Sequence, residues 1–216
     1  AEAHFLLAIS LMNSESNQST TQEAQQSFQT ALSMGCPKAL ELAALYNYGW
    51  TDSEFKLIDT PPNMKAAYEY FEQCSKLNDP ETIDATYFLS QMKEIGLGTT
   101  KDVQASMELL KQAADSGYIP AQVSYGLHLF NGQNISKNLT LSQDYIKRAN
   151  DQPPPERKEK FYLSRLIEKE IRDQKKARFY YYLLSGKDEN YSPTDNTDLY
   201  EGDGLTTNLQ YDIEDF

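Results

Sequence analysis

Apolar residues recur at spacings of three and four along most of the chain, the period that lays one buried stripe along an α-helix. The pattern predicts helices near 1–12, 21–34, 38–49, 63–77, 82–95, 102–115, 119–131, 139–150, 156–171 and 174–185. Punctuation residues separate them. Gly35, Asn78 and Gly117 suit the left-handed position that ends a helix. Gly96-Leu97-Gly98 suits a tight turn between two helices. Pro153-Pro154-Pro155 breaks the chain before the last two segments. No run of about 18 apolar residues occurs, so no membrane-spanning helix is expected.

The segments repeat in pairs. The clearest unit reads Ala85-x3-Leu89-Ser90-x5-Gly96-Leu97-Gly98, then Asp102, Ser106, Ala113-Ala114-x2-Gly117 and Ala121. An earlier unit has Leu42-Ala43-x2-Tyr46-x2-Gly49, then Asn63-x3-Ala67, Cys74 and Asn78. The first has Ala3-x3-Leu7-Ala8-x2-Leu11, then Ala24, Ala31 and Gly35. The fourth has Ala121-x3-Tyr125-Gly126-x2-Leu129-x2-Gly132, then Asn138, Ser142 and Ala149. A degenerate fifth is suggested by Asp173-x2-Lys176-Ala177, followed by Tyr180, Tyr181 and Tyr182. Terminal positions Gly35, Asn78, Gly117 and Pro153 give periods of 43, 39 and 36 residues, within the helical-solenoid range. Leu11 to Ala24, Lys93 to Ser106 and Leu129 to Ser142 are each 13 apart, whereas Tyr46 to Ala67 is 21. The second unit therefore carries eight extra residues between its helices, within 50–62, together with the single tryptophan, Trp50.

This unit resembles the Sel1-like repeat, A-x3-L-G-x2-Y-x2-G-x-G followed by D-x2-K-A and A-A-x2-G. It departs from that pattern at Ser90 for Gly, Lys93 for Tyr and Ala105-Ser106 for Lys-Ala. The resemblance implies an all-α, right-handed α-solenoid of antiparallel helix hairpins. Four repeats are expected over 1–152, a degenerate capping helix pair over 153–185 and an acidic tail over 186–216. The first helix of each pair is called helix A, the second helix B. Small residues beside the Leu position of helix A (Ala8, Ala43, Ser90, Gly126) and in helix B (Ala24, Ala31, Ala67, Cys74, Ala113, Ala114, Ser142, Ala149) are expected to let paired helices approach closely. A single hairpin buries only part of its apolar face, so neighbours must stack and present an extended concave surface lined by the A helices. The resemblance further implies adaptor and scaffold roles, as in endoplasmic-reticulum quality control, cell-wall synthesis and bacterial envelope or host interaction. Its spread over these settings leaves cytoplasmic, luminal and periplasmic locations open.

Charge narrows the class of partner. The chain carries a net −12, of which residues 186–216, with nine acidic residues against Lys187, contribute −8. Phosphate recognition needs clustered Lys and Arg, so nucleic acid and anionic membrane surfaces are disfavoured. Leu199, Tyr200, Tyr211, Ile213 and Phe216 punctuate this acidic segment. The composition suits a disordered solubilising tail, or a linear segment docking on a partner or back onto the chain itself.

Little points to catalysis. There is no G-x-S-x-G elbow, no P-loop and no H-E-x-x-H helix, and Gly96-x-Gly98 lies between helices rather than after a strand. His4 and His128 are isolated, and no CxxC occurs, so no metal site and no cofactor are expected. Cys74, at an Ala position of the repeat, reads as a small buried hydrophobe. Cys36, just after Gly35, is expected to be more exposed, and a Cys36–Cys74 disulfide is left open. In disulfide-rich Sel1-like proteins the cysteines pair within a hairpin, which a separation of 38 does not match. Sequons at Asn17, Asn134, Asn138 and Asn190 read either as chance in an Asn/Ser/Thr-rich chain or as glycan sites in loops. The chain opens directly in an amphipathic pattern, as expected of a mature chain or a fragment.

The functional expectation is a non-enzymatic adaptor holding a protein or peptide on the concave face. Its candidate contacts are Tyr46, Tyr48, Trp50, Lys93, His128 and Phe130. The dense Tyr46-Asn47-Tyr48-Gly49-Trp50 cluster reads as core packing or as an interaction anchor. The rival expectation is an inhibitor or immunity-type protein that blocks a partner enzyme with the acidic tail or with the enlarged loop at 51–62.

Overall fold

A computed structural model describes residues 1–13, 18–49, 57–58, 60–77, 79, 82–153, 172–173, 175–177 and 180–181. The described residues include eight helices: α1 (Glu2–Asn13), α2 (Gln18–Ser33), α3 (Pro37–Tyr48), α4 (Met64–Lys76), α5 (Ile83–Ile95), α6 (Val103–Asp115), α7 (Ile119–Asn131) and α8 (Leu139–Asp151). They pack as antiparallel hairpins α1/α2, α3/α4, α5/α6 and α7/α8. Each B helix also packs on the next A helix, which makes an α-solenoid. The helices follow the sequence pattern closely, except that α2 starts three residues before the expected 21. The two segments expected over 156–171 and 174–185 lie largely outside the described residues.

The starts and stops have local causes. The Asx position of the repeat is the N-cap of the B helix. Asn63 Oδ1 accepts from the amides of Lys65 (2.9 Å) and Ala66 (3.3 Å). Asp102 Oδ1 accepts from Ala105 N at 3.0 Å and Asn138 Oδ1 from Leu141 N at 3.0 Å. Each satisfies a donor that the first turn of a helix leaves orphaned. Pro37 and Pro120 sit in the first turns of α3 and α7, where a missing amide costs nothing. Gly49, Gly96 and Gly132 end the A helices in the left-handed region.

Close approach depends on small residues where the pattern placed them. Ala8, Ala24, Ala31, Ala43, Ala67, Cys74, Ser90, Ala113, Ala114, Ser142 and Ala149 are all buried. At Gly126 a Cβ would stand 2.9 Å from Ile146 of α8, so only glycine fits without displacing that side chain. The Ser142 hydroxyl donates to Gly126 O at 2.7 Å across the same contact. Ser106 holds the matching place in α6, but its buried hydroxyl has no hydrogen-bond partner among the described residues.

The core runs along the stack. Phe5, Phe28, Leu42 and Leu57 gather between the first two units. Tyr48, Phe71, Phe88, Met92 and Leu110 continue through the middle units. Phe71 stacks on Phe88 with ring centroids 5.2 Å apart, and Tyr48 meets both rings edge-on. Ala177 closes the far end against Ile119, Val123, Ile146 and Ala149. Polar links tie successive B helices together. The Tyr145 hydroxyl of α8 donates to Asp115 Oδ1 of α6 at 2.6 Å, and Lys111 pairs with Asp115 Oδ2 at 2.6 Å. Partial burial opposes ionisation of Asp115, but the bonds from Lys111 and Tyr145 outweigh it and hold the carboxyl below its usual range.

Both cysteines are buried free thiols. The expectation that Cys36 is more exposed is corrected: its amide donates back to Ala31 O at 3.1 Å, which turns the side chain inward after Gly35. Cys74 behaves as the small hydrophobe expected. Burial pushes its thiol up to about 12, which makes it a poor nucleophile.

Candidate functional site

The A helices end on one edge of the stack, where the chain turns into each B helix. Tyr46 and Lys93 occupy the same register in α3 and α5, and Phe130 lies one position later in α7. All three are half-buried. The Tyr46 hydroxyl donates to Thr60 O at 2.7 Å, which fixes the ring against the returning loop. Lys93 Nζ lies over the Tyr68 ring of α4, 5.4 Å from its centroid. Lys137 Nζ lies over the Phe130 ring at 5.5 Å. The edge thus carries aromatic and cationic side chains held by their own neighbours. Glu94 links adjacent units there by accepting from Asn134 Nδ2 at 2.8 Å.

Two candidate contacts are not on this surface. Tyr48 is 5% exposed, its ring enclosed by Phe71 and Phe88. It falls three and four positions after Leu45 and Ala44, the helical spacing of the core stripe, a signal for packing that the expectation of a contact overlooked. His128 is 5% exposed and follows Tyr125 by three on the buried face of α7. Its Nδ1 lies 3.1 Å from Gln133 O; a carbonyl only accepts, so this nitrogen donates. Its Nε2 faces Glu94 Oε1 at 3.8 Å. His128 therefore fastens the turn after α7 rather than presenting itself outward. Trp50 lies outside the described residues, as do the tail residues Leu199, Tyr200, Tyr211, Ile213 and Phe216 and the sequons at Asn17 and Asn190. Asn134 holds a left-handed backbone (φ 64°) in its turn, and Asn138 caps α8.

Residues that sequence reasoning missed shape the edge most. The second unit's connection is long, yet Leu57 within it is buried with Phe5, Phe28 and Leu42. Asn47 is also buried: its Nδ2 donates to Ala43 O at 2.8 Å and its Oδ1 accepts from Asn63 N at 3.2 Å. Gly98 of the third unit lies against the start of α4, where a Cβ would come within 2.2 Å of Met64 O. The sequence signals were the insertion, for Leu57 and Asn47, and the Gly96-Leu97-Gly98 turn, whose contact with α4 it did not show.

No group of three or more His, Cys, Asp or Glu residues able to hold a metal ion occurs among the described residues. No helix there is long and apolar enough to cross a membrane.

Antiparallel hairpins with capped B helices, small residues at the crossings and unit-to-unit stacking define a helical repeat protein of the solenoid class. The sequence model of the Sel1 repeat matches residues 42–79, 83–118, 119–153 and 165–185, and the chain belongs to the Sel1 repeat family. The last match contains the Asp173-x2-Lys176-Ala177 sequence. Among solved structures, the chain is similar to a Sel1 repeat protein from Oxalobacter formigenes. The match has 16% identity and a TM-score of 0.55, covering 88% of this chain and 73% of that one. It is also similar to a protective antigen present in uropathogenic Escherichia coli strains that displays an SLR fold. There the identity is 18% and the TM-score 0.52, over 95% of this chain and 42% of that one. At these identities the likeness speaks for the fold. No curated protein matches the chain. Sel1 repeat proteins typically mediate protein–protein interaction and are generally non-catalytic scaffolds.

Proposed function

We propose that this chain is a non-enzymatic adaptor that binds a protein or peptide along the A-helix edge, with Tyr46, Lys93 and Phe130 as contacts. Tyr48 and His128 act behind that edge by holding its framework, and Trp50 is a further contact from the enlarged connection. The observation that carries the reading is the state of the three half-exposed side chains. Each is braced by an intramolecular partner, Thr60, Tyr68 or Lys137. Side chains ordered before binding lose less conformational freedom on association, and Tyr is enriched among residues that dominate interface energetics. Family membership supports a protein as the partner class.

The test is quantitative affinity purification from the native cell with the full chain as bait. Tyr46→Ala, Lys93→Ala and Phe130→Ala, combined in one variant, should lose the captured partner while far-UV circular dichroism stays unchanged. Undiminished capture by that variant, together with loss on deleting 186–216, would move the binding function to the acidic tail and favour the inhibitor reading.

A further inference from the structure

The turns from A to B helices carry lysines of a different kind from those on the B helices. Lys76, Lys111 and Lys147 each meet a carboxylate four residues away, at Glu72, Asp115 and Asp151. Lys65, Lys93, Lys101 and Lys137 have no carboxylate at ion-pair distance among the described residues. The fold brings these four to one edge. The bond from Asp102 N to Lys93 O sets Lys101 beside Lys93. Gly98 lies against the start of α4, which sets Lys65 beside the same turn. The bond from Asn134 to Glu94 draws the turn that carries Lys137 to the end of α5. The two carboxylates among them are engaged: Glu94 accepts from Asn134 and Asp102 from the Ala105 amide. The first turns of α6 and α8 open onto the same edge and add partial positive charge. Phe130 is half-buried beside Lys137.

We propose that the acidic segment 186–216 of the same chain docks along this edge and covers it until a partner displaces it. The covering role rests on the adaptor reading above; the docking does not. Charge complementarity selects the occupant. The edge gathers unpaired lysines on a chain of net charge −12, and the segment carries −8 of that charge. Its carboxylates alternate with Tyr200, Tyr211 and Phe216, side chains suited to lie against Phe130 while the acids meet the lysines. The chain is long enough to reach. Tyr180 and Tyr181 pack against Ile119, Val123 and Ile146, beside α7 and α8. Asp198 lies 17 residues further on, a span of up to about 56 Å when extended. The whole of α7 is only about 20 Å long. Exposed ion pairs are individually weak, but a tether makes docking intramolecular at a high effective concentration, so a few of them suffice.

Carbodiimide coupling of the full chain, which joins a carboxylate to an amine only where the two touch, tests the docking. In the monomeric product, carboxylates of 198–215 should be joined to Lys65, Lys101 or Lys137 in preference to Lys76, Lys111 and Lys147. The preference should be lost in about 0.5 M salt, where exposed charges are screened. Reversing Lys65→Glu, Lys101→Glu and Lys137→Glu together should raise the radius of gyration measured by small-angle scattering. The same net charge made by Lys76→Glu, Lys111→Glu and Lys147→Glu should not. Adding Asp198→Lys, Glu201→Lys and Asp203→Lys to the edge variant should restore the wild-type radius. Even coupling to all lysines, coupling only between different chains, or equal expansion of the two glutamate variants overturns the docking. Deleting 186–216 should raise partner capture, and unchanged capture overturns the covering role. Undiminished capture by the Tyr46, Lys93 and Phe130 variant would instead sink the adaptor reading and leave the coupling pattern standing.

Discussion

Two kinds of A-to-B connection coexist in this array. In the third and fourth units the connection is short, and the backbone closes it. Asp102 N donates to Lys93 O at 2.8 Å, and Asn138 N donates to Leu129 O at 2.9 Å, each bridging nine residues. In the second unit the insertion carries the B-helix cap away from that carbonyl. The Asn47 side chain substitutes for the carbonyl by accepting from Asn63 N at 3.2 Å, while Tyr46 reaches Thr60 O and Leu57 drops into the core. The hairpin geometry is the same in all three, but its fastening moves from main chain to side chains. An enlarged loop is tolerated because loop closure grows only slowly in cost with length, provided something re-anchors its ends.

The difference sets where each connection is fragile. The short turn of the third unit depends on a glycine. Gly98 has φ 70°, and a Cβ there would meet Met64 O at 2.2 Å. Gly98→Ala combines a left-handed penalty of about 1–2 kcal/mol with an overpacking cost of about 1–3 kcal/mol. It should lower the urea midpoint more than any other change considered. Asn134 occupies the equivalent place in the fourth unit, also left-handed at φ 64°, with its amide on Glu94. Room for a side chain at this turn is thus a property of the neighbouring unit.

The enlarged connection should be weakened through its anchors. Leu57→Ala removes a fully buried leucine and is expected to cost about 2 kcal/mol, toward the low end for such truncations because a loop can relax. Equilibrium denaturation measures it. If the midpoint does not move, the loop is not fastened to the core. A smaller loss of about 0.5–1.5 kcal/mol is expected for Tyr46→Phe, which deletes the hydroxyl bonded to Thr60 and leaves the ring. A change near zero there would show that Asn47 and Leu57 suffice.

Smaller still is the contrast between two serines at one register. Ser142→Ala loses the bond to Gly126 O and should cost about 1 kcal/mol. Ser106→Ala removes a buried hydroxyl with no hydrogen-bond partner among the described residues, so it should be neutral or slightly stabilising. Thermal melts of the two variants side by side separate these outcomes.

Much of the fold was legible because its determinants are local. The Asx caps and the helix-ending glycines act within a few residues of their own position, and the small residues at helix crossings recur at fixed places in the repeat. Tyr48 and His128 were misplaced although the signal was present, since their helical spacing from Leu45 and Tyr125 put them on the core stripe. Local aromatic density in Tyr46-Asn47-Tyr48 was a weaker guide than periodicity. The burial of Leu57, the bond from Asn63 to Asn47 and the fit of the Gly98 turn against Met64 were not legible for a different reason. Each acts through a contact remote in sequence, with the first unit, with Asn63 or with Met64, and periodicity does not reveal such a contact.

Side-chain closure of the second hairpin is tested most directly by amide exchange at the three B-helix caps. In the wild-type chain the Asn63, Asp102 and Asn138 amides should all be protected. In Asn47→Ala, the Asn63 amide should lose its protection while Asp102 and Asn138 keep theirs. Equal protection of Asn63 with and without the Asn47 side chain would contradict the account.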